Sequence, residues 1–529
     1  MFNIADDQEL YNNGGHIFGM CLVYMLLMLS ETENYFTYIL DDAYIHLAIA
    51  RNFAQHGVWG VTEYMFSSSS SSPAFTLILS GLIYISGNNE LIPLIFNFVC
   101  VLFIIYFLNA YYGQYYHKNK RIAASIFTLL FTSVHLLLFS GMEHVLQVMI
   151  IVINIFSFEK WLKSEWKNSY HAGWFCLSLA ILGLIRFESM FYFLGLSVVA
   201  LLLKKVKLAV QILTFGFVPI LVFGYFTYQH TGYLFPNSVL IKGLRFDFSG
   251  NYFQQILDIF LFKIVYNPYF YNAALFPLLI SVYMIAKDIR RKLGFQELIT
   301  RNFLLIAWII TLLMHSIFSQ LTNFYRYEAY ILTGFAMALV PGFQNIDLGL
   351  KQNRLLAGLT LSSFAALALK IGIVSFLIVI GSRNIYEQQI QSARFLKKYY
   401  EKSKVVANDI GAICYFTKIH LFDFVGLGSQ EIVPFRMRKN ETDDEIETFL
   451  TGYLPENGYQ LAIAYEEWLD GHVPENWKKV AELKIKGRSA VLGKKHLFIY
   501  AIDPGIYNSL KQNVKNFKWN KNVMVTVID

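Results

Sequence analysis

Charge is scarce in this chain. Asp, Glu, Lys and Arg make up 15% of its 529 residues, where soluble domains carry about a quarter. With 55% apolar residues and a mean hydropathy of +0.43, an ordinary soluble protein is excluded. Cysteine is rarer still. Cys21, Cys100, Cys176 and Cys414 form no CxxC pair, which argues against a disulfide framework or a zinc cluster. The chain has no P-loop, no GxGxxG on a strand–helix turn and no HExxH. Nucleotide-driven transport and zinc peptidase chemistry therefore lack support. No internal repeat is present, and the serine run 67–72 is the one low-complexity tract. The first apolar run, 17–30, lacks a basic n-region and a small-x-small cleavage site. It reads as a retained helix, not a cleaved signal. The net charge of +7 is mild and fits basic loops on one membrane face better than nucleic-acid binding.

Long apolar runs are what the chain has in abundance. A run of about 20 residues can cross a bilayer. Eleven candidate spans follow: 15–31, 91–112, 121–140, 143–159, 172–186, 187–203, 208–228, 270–286, 302–320, 328–344 and 355–381. Residues 73–86 are too short and are expected to form an interfacial or re-entrant helix. The loops HKNKR (117–121), EKWLKSEWKN (159–168), KKVK (204–207), KDIRRK (287–292) and KQNR (351–354) are rich in Lys and Arg. With eleven spans and a cytoplasmic N-terminus, all five fall on the inner side, as the positive-inside rule requires. The opposite loops and everything after residue 381 then face outward. The last 148 residues alternate short apolar and polar runs. Strands are expected near 404–409, 420–426, 459–465 and 494–503, with a helix over 443–454. The fold class is thus a multi-pass α-helical membrane domain, 1–381, followed by an extracytoplasmic α/β domain, 382–529.

The chemistry-bearing residues gather on the outer side. Asp41 and Asp42 precede Ile45, Ile49 and Phe53 at helical spacing, which predicts an amphipathic helix on the membrane surface with the aspartates at its start. One aspartate suffices as an N-cap; two, with His46 a turn later, exceed what a cap needs. A serine run is ordinarily a flexible linker, but Pro73 suits a helix N1 position. The hydroxyls before it could receive an anion. Glu143, Arg186 and Glu188 stand at outer helix ends, where ionisable groups are costly and mark function or pair with one another. Asn237 and Lys242 lie in GYLFPNSVLIKG (232–243), and Arg326 and Tyr327 in TNFYRYEAY (322–330). Lys and Arg on a cation-poor face suit a phosphate at the membrane surface, or serve as interfacial anchors.

In order along the chain, DDAYIHLAIARNFAQHGVWG, SSSP, GMEH, IRFES, LFPNS…IKG and RYEAY resemble the motifs of the GT-C membrane glycosyltransferases. The nearest branch holds the mycobacterial arabinofuranosyltransferases; the lipid A aminoarabinose transferase and the protein mannosyltransferases are more distant. The tail segment VVANDIGAICYFTKIHLFDFVGLGS (405–429) also resembles that branch's outer domain. Two departures stand out: Phe187 where the family more often has Pro, and a pure serine run before Pro73.

The resemblance implies an enzyme of the bacterial cytoplasmic membrane. It would move a sugar from a polyprenyl-phosphate donor to a hydroxyl of a glycan, glycolipid or protein acceptor on the outer face, with inversion. It implies Asp41 as general base, with Asp42 orienting the acceptor, raising the base's pKa or helping to hold a cation. It gives Arg186, Lys242 and Arg326 as cations for the leaving phosphate. His46, Glu143, Glu188, Asn237 and Tyr327 would orient those groups or touch substrate. Asp41 and Asp42 together offer hard oxygen ligands to magnesium or calcium; no other cofactor is expected. A transporter or flippase for a lipid-linked or anionic precursor is the alternative, disfavoured by the missing repeats and by ionisable groups at helix ends instead of mid-membrane. A non-catalytic assembly or sensor protein would leave the outer cluster unexplained.

Overall fold

A computed structural model describes residues 7–243, 251–321, 324–344, 354–437 and 443–528. Among them, five helices are long and apolar enough to cross a membrane: Ile92–Tyr112, His144–Lys163, Val206–Thr231, Pro268–Arg290 and Arg354–Tyr399. Two bent pairs raise the number to seven if each is one span. Lys118–Thr132 meets Val134–Ser140 at 49°, and Phe295–Arg301 meets Phe303–Phe318 at 71°. The other expected segments are shorter apolar helices: Ile17–Glu31, Ser169–Ile185, Ser189–Leu202 and Ala329–Phe343. Each falls below the about 20 residues that a perpendicular crossing needs. Pro73–Ser86, with Pro73 in its first turn, is the short helix that the run 73–86 predicts.

Large apolar side chains stand exposed along the bundle: Leu221 at 60%, Val222 at 66%, Leu361 at 71% and Leu369 at 72%. In water such a surface would aggregate; against lipid tails it is the matching solvent. The chain is a multi-pass membrane protein.

Arg354–Tyr399 runs 46 residues, about 69 Å at 1.5 Å per residue. It crosses residue 381 without a break and outlasts any bilayer core. A π-helical turn, Tyr386–Ile390, interrupts it and carries buried Glu387, Gln388 and Gln389. Gln389 Nε2 donates to Asp409 at 2.6 Å, and Gln388 Nε2 to the Lys494 carbonyl at 3.2 Å. The helix is thereby tied to the sheet that follows.

That sheet has six strands: β1 (Lys404–Ala407), β2 (His420–Asp423), β3 (Leu461–Ala464), β4 (Lys478–Ile485), β5 (His496–Ala501) and β6 (Val523–Val527). Their spatial order is β2-β1-β3-β5-β4-β6. β1 pairs parallel with β2 and β3, whereas β3–β5, β5–β4 and β4–β6 are antiparallel. The four expected strands are there, and so is a helix at Asp443–Glu456. β4 and β6 were not anticipated: Lys478, Lys479, Glu482 and Lys484 dilute the apolar signal of β4, whose inner face is Val480, Ala481, Leu483 and Ile485.

The helix Asp42–His56 is buried on nearly every side from Ala43 to Ala50. It does not lie on a membrane surface with one polar face, as its periodicity suggests. Pro73–Ser86 packs on it from the membrane side and the short helix Gly411–Phe416 from the outer domain. Two domains thus cover both sides of one amphipathic helix, a tertiary fact that a 3.6-residue pattern does not carry.

Candidate active site

A cleft of about 150 Å³ opens at the bundle end where His144–Lys163 and Ala329–Leu339 begin and Phe303–Phe318 finishes. The Lys/Arg-rich loops 159–168 and 204–207 lie at the far ends of His144–Lys163 and Ser189–Leu202, helices that begin at the cleft. Asp42, His46, Ser71, Arg186, Glu188, Gln320 and Tyr327 supply its polar lining, and Ile45, Phe187, Phe191, Phe318 and Leu427 much of the apolar one.

Three segments place the charges. Gly141 turns the chain at φ 66°, and a Cβ there would meet the Tyr38 ring at 2.4 Å. This turn sets Glu143, fully buried, just before His144–Lys163. Glu143 Oε1 accepts from Arg186 Nη1 at 2.7 Å and from Ser71 Oγ at 3.2 Å. Its Oε2 lies 3.2 Å from His46 Nε2, and His46 Nδ1 lies 3.1 Å from Thr76 Oγ1. Arg186 caps the end of Ser169–Ile185 and grips Glu188 with two donors, Nε at 3.1 Å and Nη2 at 2.5 Å. Arg326 Nη1 donates to Asp42 Oδ2 at 2.7 Å and Nη2 to the Tyr327 hydroxyl at 3.0 Å. The Tyr327 ring lies 4.9 Å from the Arg186 guanidinium and 4.7 Å from that of Arg326. Buried guanidinium–carboxylate pairs hold position more than they stabilise, and losing one partner costs about 3–5 kcal/mol. Arg326 Nε, buried, has no hydrogen-bond partner among the described residues.

The two aspartates part company. Asp42 faces the cleft. Asp41 does not line it; its Oδ2 accepts from the Gly411 backbone N–H at 2.6 Å and its Oδ1 from that of Ala412 at 2.8 Å. Asp41 stands before its own helix without capping it and caps another one, where the helix dipole favours a carboxylate. Arg51, at the far end of Asp42–His56, donates to the carbonyls of Tyr415 and Cys414 at the other end of that short helix. A Cβ on Gly411 would come 2.1 Å from the Asp41 carbonyl oxygen. Desolvation, with the Asp409 carboxylate adding to it, pushes the Asp41 carboxyl up to about 8 against the pull of the two N–H donors. With both oxygens engaged by backbone N–H groups and away from the cleft, Asp41 is poorly placed to take a proton from a hydroxyl.

This arrangement does not suit a cation at the aspartates. Asp41 spends its oxygens on backbone N–H groups, and a guanidinium already sits on Asp42. Among the described residues, the one set with ligand spacing is Asp444, Glu447 and His472 in the outer domain, within 4.8 Å of one another; none of them lines the cleft.

Asn237 is buried and faces the outer domain. Its Nδ2 donates to the Gly426 carbonyl at 3.0 Å, and its backbone N–H donates to the Ser68 carbonyl at 3.0 Å. The Lys242 side chain lies outside the described residues. The serine run is no linker: all but Ser71 are buried, and Ser69 Oγ donates to the Leu427 carbonyl at 2.6 Å. Leu427 brings the outer domain into the cleft wall. Its loop is shaped by buried Asp423, which accepts from the N–H groups of Val425 and Gly428 at 2.9 and 2.8 Å. Burial still raises Asp423, to about 6. Ser71, Leu427, Gln320 and the Asp41–Gly411 contact escaped the reading of single residues; NDIGA and VGLGS (425–429) were the signal for the outer-domain part.

Comparisons with known proteins follow this geometry. A family model described as a domain of unknown function (DUF8728) matches residues 383–500. No curated protein matches the chain. ArnT from Cupriavidus metallidurans bound to undecaprenyl phosphate is similar in structure: TM-score 0.51 and 12% identity, over 94% of this chain and 99% of that one. The same protein in the apo state gives TM-score 0.50 and 10% identity, over 93% and 98%. The oligosaccharyltransferase of Archaeoglobus fulgidus in the apo form gives TM-score 0.49 and 11% identity, over 96% and 76%. The chain has the fold of the GT-C glycosyltransferases.

Proposed function

We propose that the chain is an inverting glycosyltransferase that moves a sugar from a polyprenyl-phosphate donor to a hydroxyl of a cell-envelope glycan, glycolipid or protein. In this reading, eleven crossings put the cleft on the outer face of a bacterial cytoplasmic membrane. Residues 1–381 form the catalytic domain and 382–529 the extracytoplasmic domain that closes its wall. One observation carries the reading: Asp42, Arg186, Glu188 and Tyr327 converge on one cleft at the bundle end away from the basic loops 159–168 and 204–207. Similarity in fold to ArnT bound to undecaprenyl phosphate supports the donor class.

The base is assigned to Asp42 and not to Asp41, because Asp42 lines the cleft and Asp41 is engaged with the outer domain. The acceptor hydroxyl gives its proton to Asp42 as its oxygen attacks the anomeric carbon from the face opposite the phosphate. The phosphate leaves with the bonding pair, so configuration inverts. Arg326, which borders the cleft through its bond to Asp42, and Lys242 are assigned to the developing charge. Arg186 is held by Glu143 and Glu188 with its face toward Tyr327, which fixes the sugar side of the cleft. His46 orients Glu143, and Asn237 holds the outer-domain loop against the serine run. No divalent cation is assigned to the aspartates.

The test uses the full-length protein in detergent with polyprenyl-phosphate sugars and envelope extracts as acceptor. The wild type transfers sugar and releases polyprenyl phosphate; Asp42→Asn loses about 10²–10⁴-fold. Undiminished transfer by Asp42→Asn removes the base assignment. A wild type that transfers from no such donor, yet carries a lipid-linked precursor across vesicles, returns the case to a transporter.

A further inference from the structure

One buried lysine takes no part in this scheme. Lys370 sits near the middle of Arg354–Ile385 and is 9% exposed. An ammonium at that depth is costly unless it has partners. It touches two, on two different segments, and a buried carboxyl on the second of them is the third group in play. Its Nζ donates to the Phe131 carbonyl at 2.6 Å. That carbonyl is left over where Lys118–Thr132 breaks at Ser133, in the left-handed region at φ 61°. Its second contact is the Tyr325 ring, 4.4 Å from Nζ. Tyr325 is also left-handed, at φ 51°, a strained conformation for a bulky residue unless its surroundings hold it. The third is Glu328. It is buried, neither of its oxygens has a hydrogen-bond partner among the described residues, and the cations acting on it are Lys370 and Arg326.

Tyr325 and Glu328 flank Arg326 and Tyr327. Arg326 thus follows directly on the residue that Lys370 touches and bonds Asp42 at 2.7 Å, with the buried Glu328 carboxyl two residues further on.

We infer that Lys370 is a positioning residue for the cleft: it pins Tyr325, balances Glu328 and thereby holds Arg326 toward Asp42. The inference rests on the glycosyltransferase reading, with Arg326 as a phosphate-binding cation. Lys370→Met keeps the bulk of the side chain and removes the charge. Glu328 then competes for Arg326, and the phosphate loses its partner. Lys370→Arg keeps the charge and rescues. Lys370→Met with Glu328→Gln removes both charges and rescues in part; it also serves if the single variant folds poorly.

The experiment measures binding of undecaprenyl phosphate to the full-length protein in detergent. Lys370→Met should weaken binding about tenfold, the scale of one buried cation–π contact. In an Arg326→Gln background the same substitution should have no further effect, because the group it positions is gone. A purely structural role would weaken both backgrounds alike, and that result overturns the inference. So does binding by Lys370→Met at wild-type strength. A wild type that fails to bind undecaprenyl phosphate at all sinks the glycosyltransferase reading first, and this inference with it.

Discussion

The helix Asp42–His56 has two unlike neighbours. Toward the cleft it presents Asp42, Ile45 and His46; Asp42 pairs with Arg326, and His46 contacts Glu143. Toward the outer domain Asp41, just ahead of it, and Arg51 within it hold the two ends of Gly411–Phe416. The first side pairs its charged and polar groups with others around the cleft. The second uses charge to satisfy backbone groups of a helix end. Adjacent residues of the same type thus serve opposite purposes, and the difference lies in what each can reach.

Substitutions can separate the two sides. On the cleft side, Asp42→Asn is expected to cost about 10²–10⁴-fold in sugar transfer per folded molecule, and to lower the melting temperature as well, because it leaves the Arg326 guanidinium without its carboxylate; transfer lost only in proportion to folded protein would merge the two sides. Next, Glu143→Gln weakens the hold on Arg186 and His46. A destabilisation approaching about 3–5 kcal/mol is expected, read as a large drop in melting temperature in detergent. On the outer-domain side, Asp41→Ala leaves two backbone N–H groups unpaired and should cost about 1–3 kcal/mol. Protease sensitivity of residues 410–429 reports it, with transfer per folded molecule retained. Proportional loss of both would return Asp41 to the chemistry.

A smaller effect distinguishes the sides by pH. The carboxyl of Asp41 lies higher in the folded chain, at about 8, than the about 3.9 of an ordinary aspartate. The folded state then binds the proton more tightly, so stability falls as pH rises from about 4 to about 8. In Asp41→Asn that slope should flatten, and an unchanged melting curve across this window would count against the shift. Least of all, Lys167→Ala in the basic loop removes an exposed pair with Glu165. The change should stay within about 0.5 kcal/mol.

Much of this was legible without coordinates. Loop charge singled out one end of the bundle, and Asp42, His46, Arg186, Glu188 and Tyr327 do line one cleft, with Glu143 buried behind Arg186 and His46. The helix Pro73–Ser86 and four strands of the outer sheet fall where apolar periodicity put them. Other features were not legible. The serine run looked like a linker because composition does not reveal that Leu427 covers it. β4 was hidden by its lysines, since a half-buried strand with charged outer positions has low mean apolarity. Lys370 was lost inside a long apolar run, where one charge does not disturb the reading of a span.

What the sequence determined by itself is the material of the molecule: apolar helices that need lipid, basic loops that select one end, and a charged tail able to build a sheet. These follow from local composition and period, which a chain carries residue by residue. What only the tertiary structure decided is the division of labour between Asp41 and Asp42. They are neighbours with one chemistry, and a fold that brings Gly411 to one and Arg326 to the other, across 370 and 284 residues, sets their roles.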